Sequence, residues 1–89
     1  MTANGVVDFY VTSLTHFSSS QRTWLVCRES LSNCVGIQDD IAAATAQAIR
    51  MAGYHVSAGQ PAQVHVQQDQ GIAPWRTVWC SPDSVPRFP

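Results

Sequence analysis

Lysine is absent from this 89-residue sequence, and charge of either sign is scarce. Asp, Glu and Arg together make up 12% of the chain, and the net charge is −1. The five arginines are scattered at Arg22, Arg28, Arg50, Arg76 and Arg87. Such a chain generates no field that would gather polyanions unaided. Sparse charge on a small surface instead leaves neutral-polar and apolar area exposed, which favours self-association. No apolar run approaches the roughly 20 residues needed to cross a bilayer, so no membrane partner is expected. The start, Met1 to Gly5, has no basic segment followed by an apolar stretch and does not read as a signal peptide.

Paired metal ligands are missing too. Cys27, Cys34 and Cys80 are odd in number and lack CxxC spacing, and His16, His55 and His65 occur singly. Reduced, mostly buried thiols in an intracellular chain are expected, without zinc. Gly53, Gly59 and Gly71 stand alone, so no glycine-rich loop cradles phosphate, and no cofactor is called for. Asp39 and Asp40 are neighbours whose side chains would diverge by about 100° on a helix. Stabilisation of a helix start explains them without acid–base chemistry.

What is present suits one folded domain. The 45% hydrophobic content argues against disorder. A chain this long buries roughly 60–65% of its unfolded surface, enough for one modest core. Val6 to Leu14 alternates through Val7, Phe9 and Val11, a strand signal. The Ser-rich stretch His16 to Gln21 is a turn, and Arg22 to Glu29 is a second strand with apolar residues on both faces. Ser30 to Gly36 is read as a connector.

From roughly Gln38 to Ala52 a helical period places Ile41, Ala44, Thr45, Ala48, Ile49 and Ala52 on one side. Asp39 and Asp40 fall in its first turn, and Gly53 is placed to close it. Tyr54-His55-Val56 is read as a short extended stretch. Ala62 to Gln67 and Trp75 to Cys80 alternate again around a turn with Gly71, giving a second hairpin. The expectation is an α+β domain, ββαββ: a small antiparallel sheet of two hairpins with one Ala-rich helix on one face. Residues 1–5 are a flexible lead, 6–80 the domain and 81–89 an irregular Pro-rich tail.

The segment Trp24-Leu25-Val26-Cys27-Arg28-Glu29, the helix Ala42 to Ala52, and Val64-His65-Val66 followed by Gly71 resemble a small bacterial family, domain of unknown function 2188. The resemblance spans roughly Phe9 to Trp79 and implies a divergent member in a bacterial cytoplasm. Its usual basic helix residues and Asp-Gly turn are replaced here by Arg50 and Gln70-Gly71. The family brings no established activity or site. The element order is also similar to antitoxin domains that place two or three strands before a helix, an analogy of fold only.

Function is therefore sought on the sheet. Trp75 and Trp79 are expected to share a face with Thr77, with Arg76 and Val78 on the other, and at least two of Trp24, Trp75 and Trp79 are expected in the core beneath the helix. The side away from the helix is expected to show Leu25, Tyr10 and Val78, with His65 as a solvated strand histidine. Trp75, Arg76, Val78, Leu25, Tyr10 and His65 form the candidate interaction surface. The leading expectation is a non-enzymatic binding module, homodimeric through its sheet or taking another protein partner. The alternative is weak binding of single-stranded nucleic acid through Trp75, Arg76 and Arg22, against which stands the lack of a basic groove. A thiol enzyme would need Cys34, a few residues before the helix, or Cys27.

Overall fold

The computed structural model describes residues 5–15, 22–68, 74–82 and 85. The turns expected at 16–21 and around Gly71, residues 1–4 and most of the Pro-rich tail lie outside the described residues. Among the described residues, five strands and one helix follow one another as β1 (Val7–Thr15), β2 (Arg22–Arg28), β3 (Cys34–Gln38), α1 (Ile41–Ser57), β4 (Ala62–Gln67) and β5 (Arg76–Cys80). The strands form one mixed sheet in the order β3-β2-β1-β4-β5, with α1 packed on one face.

β1 pairs with β2 and β4 with β5, each antiparallel. The sheet is nevertheless not antiparallel throughout, because β1 and β4 pair in parallel at its centre, Val7 beside Ala62 through Thr12 beside Gln67. Chain geometry accounts for this. The meander β1-β2-β3 leaves β3 running in the same direction as β1. A helix of 17 residues is about 25 Å long, enough to return the chain to the end of the sheet where β1 began. The strand that follows runs parallel to β1 and occupies its free side. β4 is buried along its whole length, as befits an inner strand covered on both faces.

The connector expected at Ser30 to Gly36 is partly wrong, since its second half belongs to β3 and the order is βββαββ. Cys34-Val35-Gly36 carries little strand signal, and pairing with β2 supplies the ordering. A tight turn precedes β3. Glu29 takes a positive φ of 69°, the Asn33 N–H donates to Ser30 O (3.0 Å), and the Arg28 N–H donates to Asn33 O (3.0 Å).

The helix begins and ends later than its sequence pattern suggests. Asp40 is the N-cap, accepting from the Ala43 N–H at 2.8 Å, and Asp39 lies before it. Gly53 is inside the helix, and Tyr54, His55 and Val56 are helical rather than extended. The end is a Schellman arrangement: the Gly59 N–H donates to Val56 O (2.9 Å) and the Gln60 N–H to His55 O (2.8 Å). Gly59 sits at φ 89°, where a side chain would be strained. Glycine does close the helix, six residues after the expected one.

Ala44, Ala48 and Ala52 are fully buried against Val7, Phe9, Val11, Trp24, Val26, Ala62, Val64 and Val66. Small residues bring the helix axis close to the sheet and leave room for Phe9 and Trp24. Gly36 on β3 serves the same approach. A Cβ there would sit 2.5 Å from the Gln47 carboxamide, which accepts a 2.9 Å bond from Gln38 Nε2. Gly36→Ala is expected to displace Gln47 and destabilise the protein by about 1 kcal/mol, the worth of one such bond. In Gln47→Ala the same change at position 36 should cost close to nothing, a coupling read from urea titrations of the four proteins.

Candidate functional site

Alternation along the strands sorts the sheet into a helix face and an open face. Asp8, Tyr10 and Thr12 of β1, Leu25 and Cys27 of β2, and Gln63, His65 and Gln67 of β4 point away from the helix. The register lines them up in rows. Cys34, Cys27, Tyr10, His65 and Thr77 make one row, and Ile37, Leu25, Thr12 and Gln67 the next.

The centre of this open face is polar and largely shielded from solvent. His65 has no exposed surface, and Asp8, Thr12, Gln63 and Gln67 are buried. His65 Nε2 lies 2.9 Å from Asp8 Oδ1, and its Nδ1 lies 2.9 Å from Thr77 Oγ1. An ionised carboxylate only accepts, so Nε2 donates to Asp8; in the neutral ring Nδ1 then accepts from the Thr77 hydroxyl. Tyr10 stacks obliquely on His65 with centroids 5.3 Å apart, and Trp75 meets Tyr10 edge-on at 5.3 Å and 73°. Gln63 Nε2 donates to Val85 O at 2.5 Å, which brings Val85 onto this face. Among the described residues no buried side-chain N or O is without a hydrogen-bond partner.

The reading of His65 as a solvated histidine is thus overturned. A period of two identifies the face a residue takes but not what lies beside or over that face. The Asp8–His65–Thr77 chain has the order of an acid–base relay, yet its imidazole meets no solvent. Its bonds tie β1, β4 and β5 together.

A bulge on β5 corrects the expected arrangement of the aromatics. Val64 pairs with Trp79, but the next residue, His65, pairs with Thr77, so Val78 is extra. A bulge resets the alternation. Trp79 turns to the helix face and packs on the core, whereas Trp75 joins Tyr10 on the open face. Arg76 pairs with Val66, so it too lies on the helix side. There Val66, Gln68, Pro74, Arg76 and Val78 line an open groove of about 320 Å³. Of the six candidate residues the structure brings together Tyr10, His65 and Trp75. It separates them from Arg76 and Val78, and Leu25 stands apart, paired with Thr12 and Ile37. Arg22 opens β2 at the end of its pairing with Thr15.

The thiols are also rearranged. Cys34 is the first residue of β3, so about 13 Å of strand separates it from the segment that leads into the helix. A helix dipole acts within a turn or so and is no asset to Cys34. It instead pairs with Cys27 across the β2–β3 ladder, beside a second bulge at Val35. Cys34 is exposed and Cys27 fully buried. Burial pushes the Cys27 thiol up, and the Cys34 thiol beside it adds to the rise. A smaller hollow of about 160 Å³ opens on the helix side among Phe9, Val35, Met51 and His55. Among the described residues no three His, Cys, Asp or Glu side chains converge as a metal site would require.

No family model matches the chain, and neither a curated protein nor a solved structure matches it.

Asp8 and Thr77, which hold His65, carried no sequence signal of their own. Each is an ordinary outward strand residue until the parallel register sets Tyr10 beside His65. Thr77→Val keeps the shape and removes the hydroxyl bonded to Nδ1. It is expected to cost about 1–3 kcal/mol, the penalty of a buried group left short of a partner. Urea denaturation checks this, and an unchanged midpoint would mean that the bond contributes nothing.

Proposed function

We propose that the protein is a small non-enzymatic interaction module that pairs with a second copy through the open face of β1, β2 and β3. The observation that carries this reading is an apolar group at that end of the sheet. Ile37 is 63% exposed and Leu14 41% exposed. Ile37 lies directly beside Leu25, and Leu14 is a diagonal neighbour of Leu25 across β1 and β2. The helix covers the opposite face, and the polar cluster around His65 occupies the other half of the open one. Two such patches related by a two-fold axis meet as like on like, with the sheets about 10 Å apart. The short outer strands are poorer surfaces for pairing, since each carries a bulge and bulged edges resist strand addition.

The resemblance to domain of unknown function 2188 is compatible with this reading. Its matching segments fall on β2, α1 and β4, which are scaffold, and bring no activity with them. Binding of single-stranded nucleic acid is the second reading, supported by the Tyr10–Trp75 pair on the open face and weakened by Arg76 lying on the other side.

Light scattering over a concentration series is expected to give a dimer at high micromolar protein; a strict monomer there overturns the proposal. Ile37→Asp should weaken the dimer at least tenfold, equivalent to about 1.4 kcal/mol, with an unchanged circular dichroism spectrum. Titration with single-stranded DNA and RNA at about 50 mM salt, where counterion release still favours binding, separates the two readings. Binding that is lost in Trp75→Ala without any dimer would replace the first by the second.

A further inference from the structure

Cys27 and Cys34 face each other across β2 and β3 at an unusual place in the ladder. The backbone bond from the Arg28 N–H to Asn33 O (3.0 Å) belongs to the neighbouring pair. The Asn33 side chain caps Arg28 O from the other direction, at 3.1 Å. Cys27 and Cys34 therefore occupy the non-hydrogen-bonded position, where Cα atoms approach to about 4.5 Å and side chains are closest. A disulfide spans Cα separations of about 4.4–6.8 Å. Both side chains leave the sheet on the same face. Each thiol makes one weak bond to a nearby carbonyl, Cys27 Sγ to Leu31 O (3.7 Å) and Cys34 Sγ to Gly36 O (3.3 Å), which a disulfide would replace.

We propose that Cys27 and Cys34 are a two-electron redox pair, an exposed attacking thiol and a buried resolving thiol, which closes into a cross-strand disulfide on meeting a low-molecular-weight disulfide. The difference in exposure assigns the roles. Cys34 is within reach of a small oxidant, whereas Cys27 is reached by its neighbour. In the first step the Cys34 thiolate, having released its proton to solvent, attacks one sulfur of the small disulfide. A Cys34 mixed disulfide forms and one small thiolate leaves. In the second step Cys27 gives up its proton and attacks the Cys34 sulfur, expelling the second small thiolate. Two protein thiols are oxidised by two electrons, and one small disulfide is reduced to two thiols. The bond would lock β3 to β2 around the turn at 29–33 and alter the row that continues through Tyr10 and His65. It does not depend on the dimer reading, and its test is independent of oligomeric state.

The experiment treats the folded full chain with oxidised glutathione, counts free thiols, and maps the tryptic peptides without reduction. Trypsin cuts this lysine-free chain only after arginine. Cys27 therefore falls in peptide 23–28, Cys34 in 29–50 and Cys80 in 77–87. The expected result is a fall from three free thiols to one, with peptide 23–28 joined to 29–50 within a single chain. Dithiothreitol should restore all three thiols. In Cys27→Ser, Cys34 is expected to stop as the mixed disulfide, carrying one glutathione. In Cys34→Ser, Cys27 is expected to stay unmodified over the same period. An undiminished thiol count in the wild type, a bond to the Cys80 peptide, or a disulfide between chains would overturn the proposal. The wild-type map decides the matter even where a serine variant fails to fold.

Discussion

The parallel pairing of β1 with β4 is the contact on which the rest of the molecule depends. It joins the meander before the helix to the hairpin after it, residues more than fifty positions apart in the chain. Closing so long a loop has a high entropic cost before any contact repays it. Repayment comes from both faces of the two central strands. On one face Val7, Phe9, Val11, Ala62, Val64 and Val66 meet the alanines of α1. On the other, Asp8, Tyr10, Thr12, Gln63, His65 and Gln67 line up in register. Without this pairing the two hairpins would each present an apolar face that neither could cover alone.

Among the described residues no second helix covers the open face, and burial there is achieved differently. Its centre is filled with groups that need partners, and those partners are found within the sheet and at Val85. Burying polar groups is tolerable only when their hydrogen bonds are made, and a satisfied network fixes register more sharply than an apolar layer does. Thr77, His65 and Asp8 sit on three neighbouring strands, so a slip of one residue in either pairing would break a bond that His65 makes to Asp8 or Thr77. With so few charged side chains in the sequence, this network and the β1–β3 patch give the open face its character.

Among the described residues two bulges determine which side chains are displayed together. At Val78 the shift sends Trp79 to the core and leaves Trp75 against Tyr10, with Arg76 on the helix side. At Val35 the shift sets Cys34 opposite Cys27. Strict alternation would have put Trp75 and Trp79 on one face and Cys34 on the face opposite to Cys27. Both shifts lie in the outer strands, where a lost ladder bond can be made up by water. The grouping of these residues was therefore not legible in the sequence: Tyr10, His65 and Trp75 meet on the open face, while Arg76 and Val78 lie on the helix side.

The sequence by itself determined the elements that local physics dictates. Alternation of Val7, Phe9 and Val11 makes a strand in any setting. The recurrence of Ala44, Ala48 and Ala52 makes a helix with one narrow buried face, and Asp40 caps it through a bond three residues long. These signals act within a few residues and need no distant partner. The β3 strand, the helix end at Gly59, the parallel centre, the burial of His65 and the Cys27–Cys34 pair were decided by tertiary structure alone. Each depends on which strand comes to lie beside which, and that is set by contacts between residues far apart in the chain.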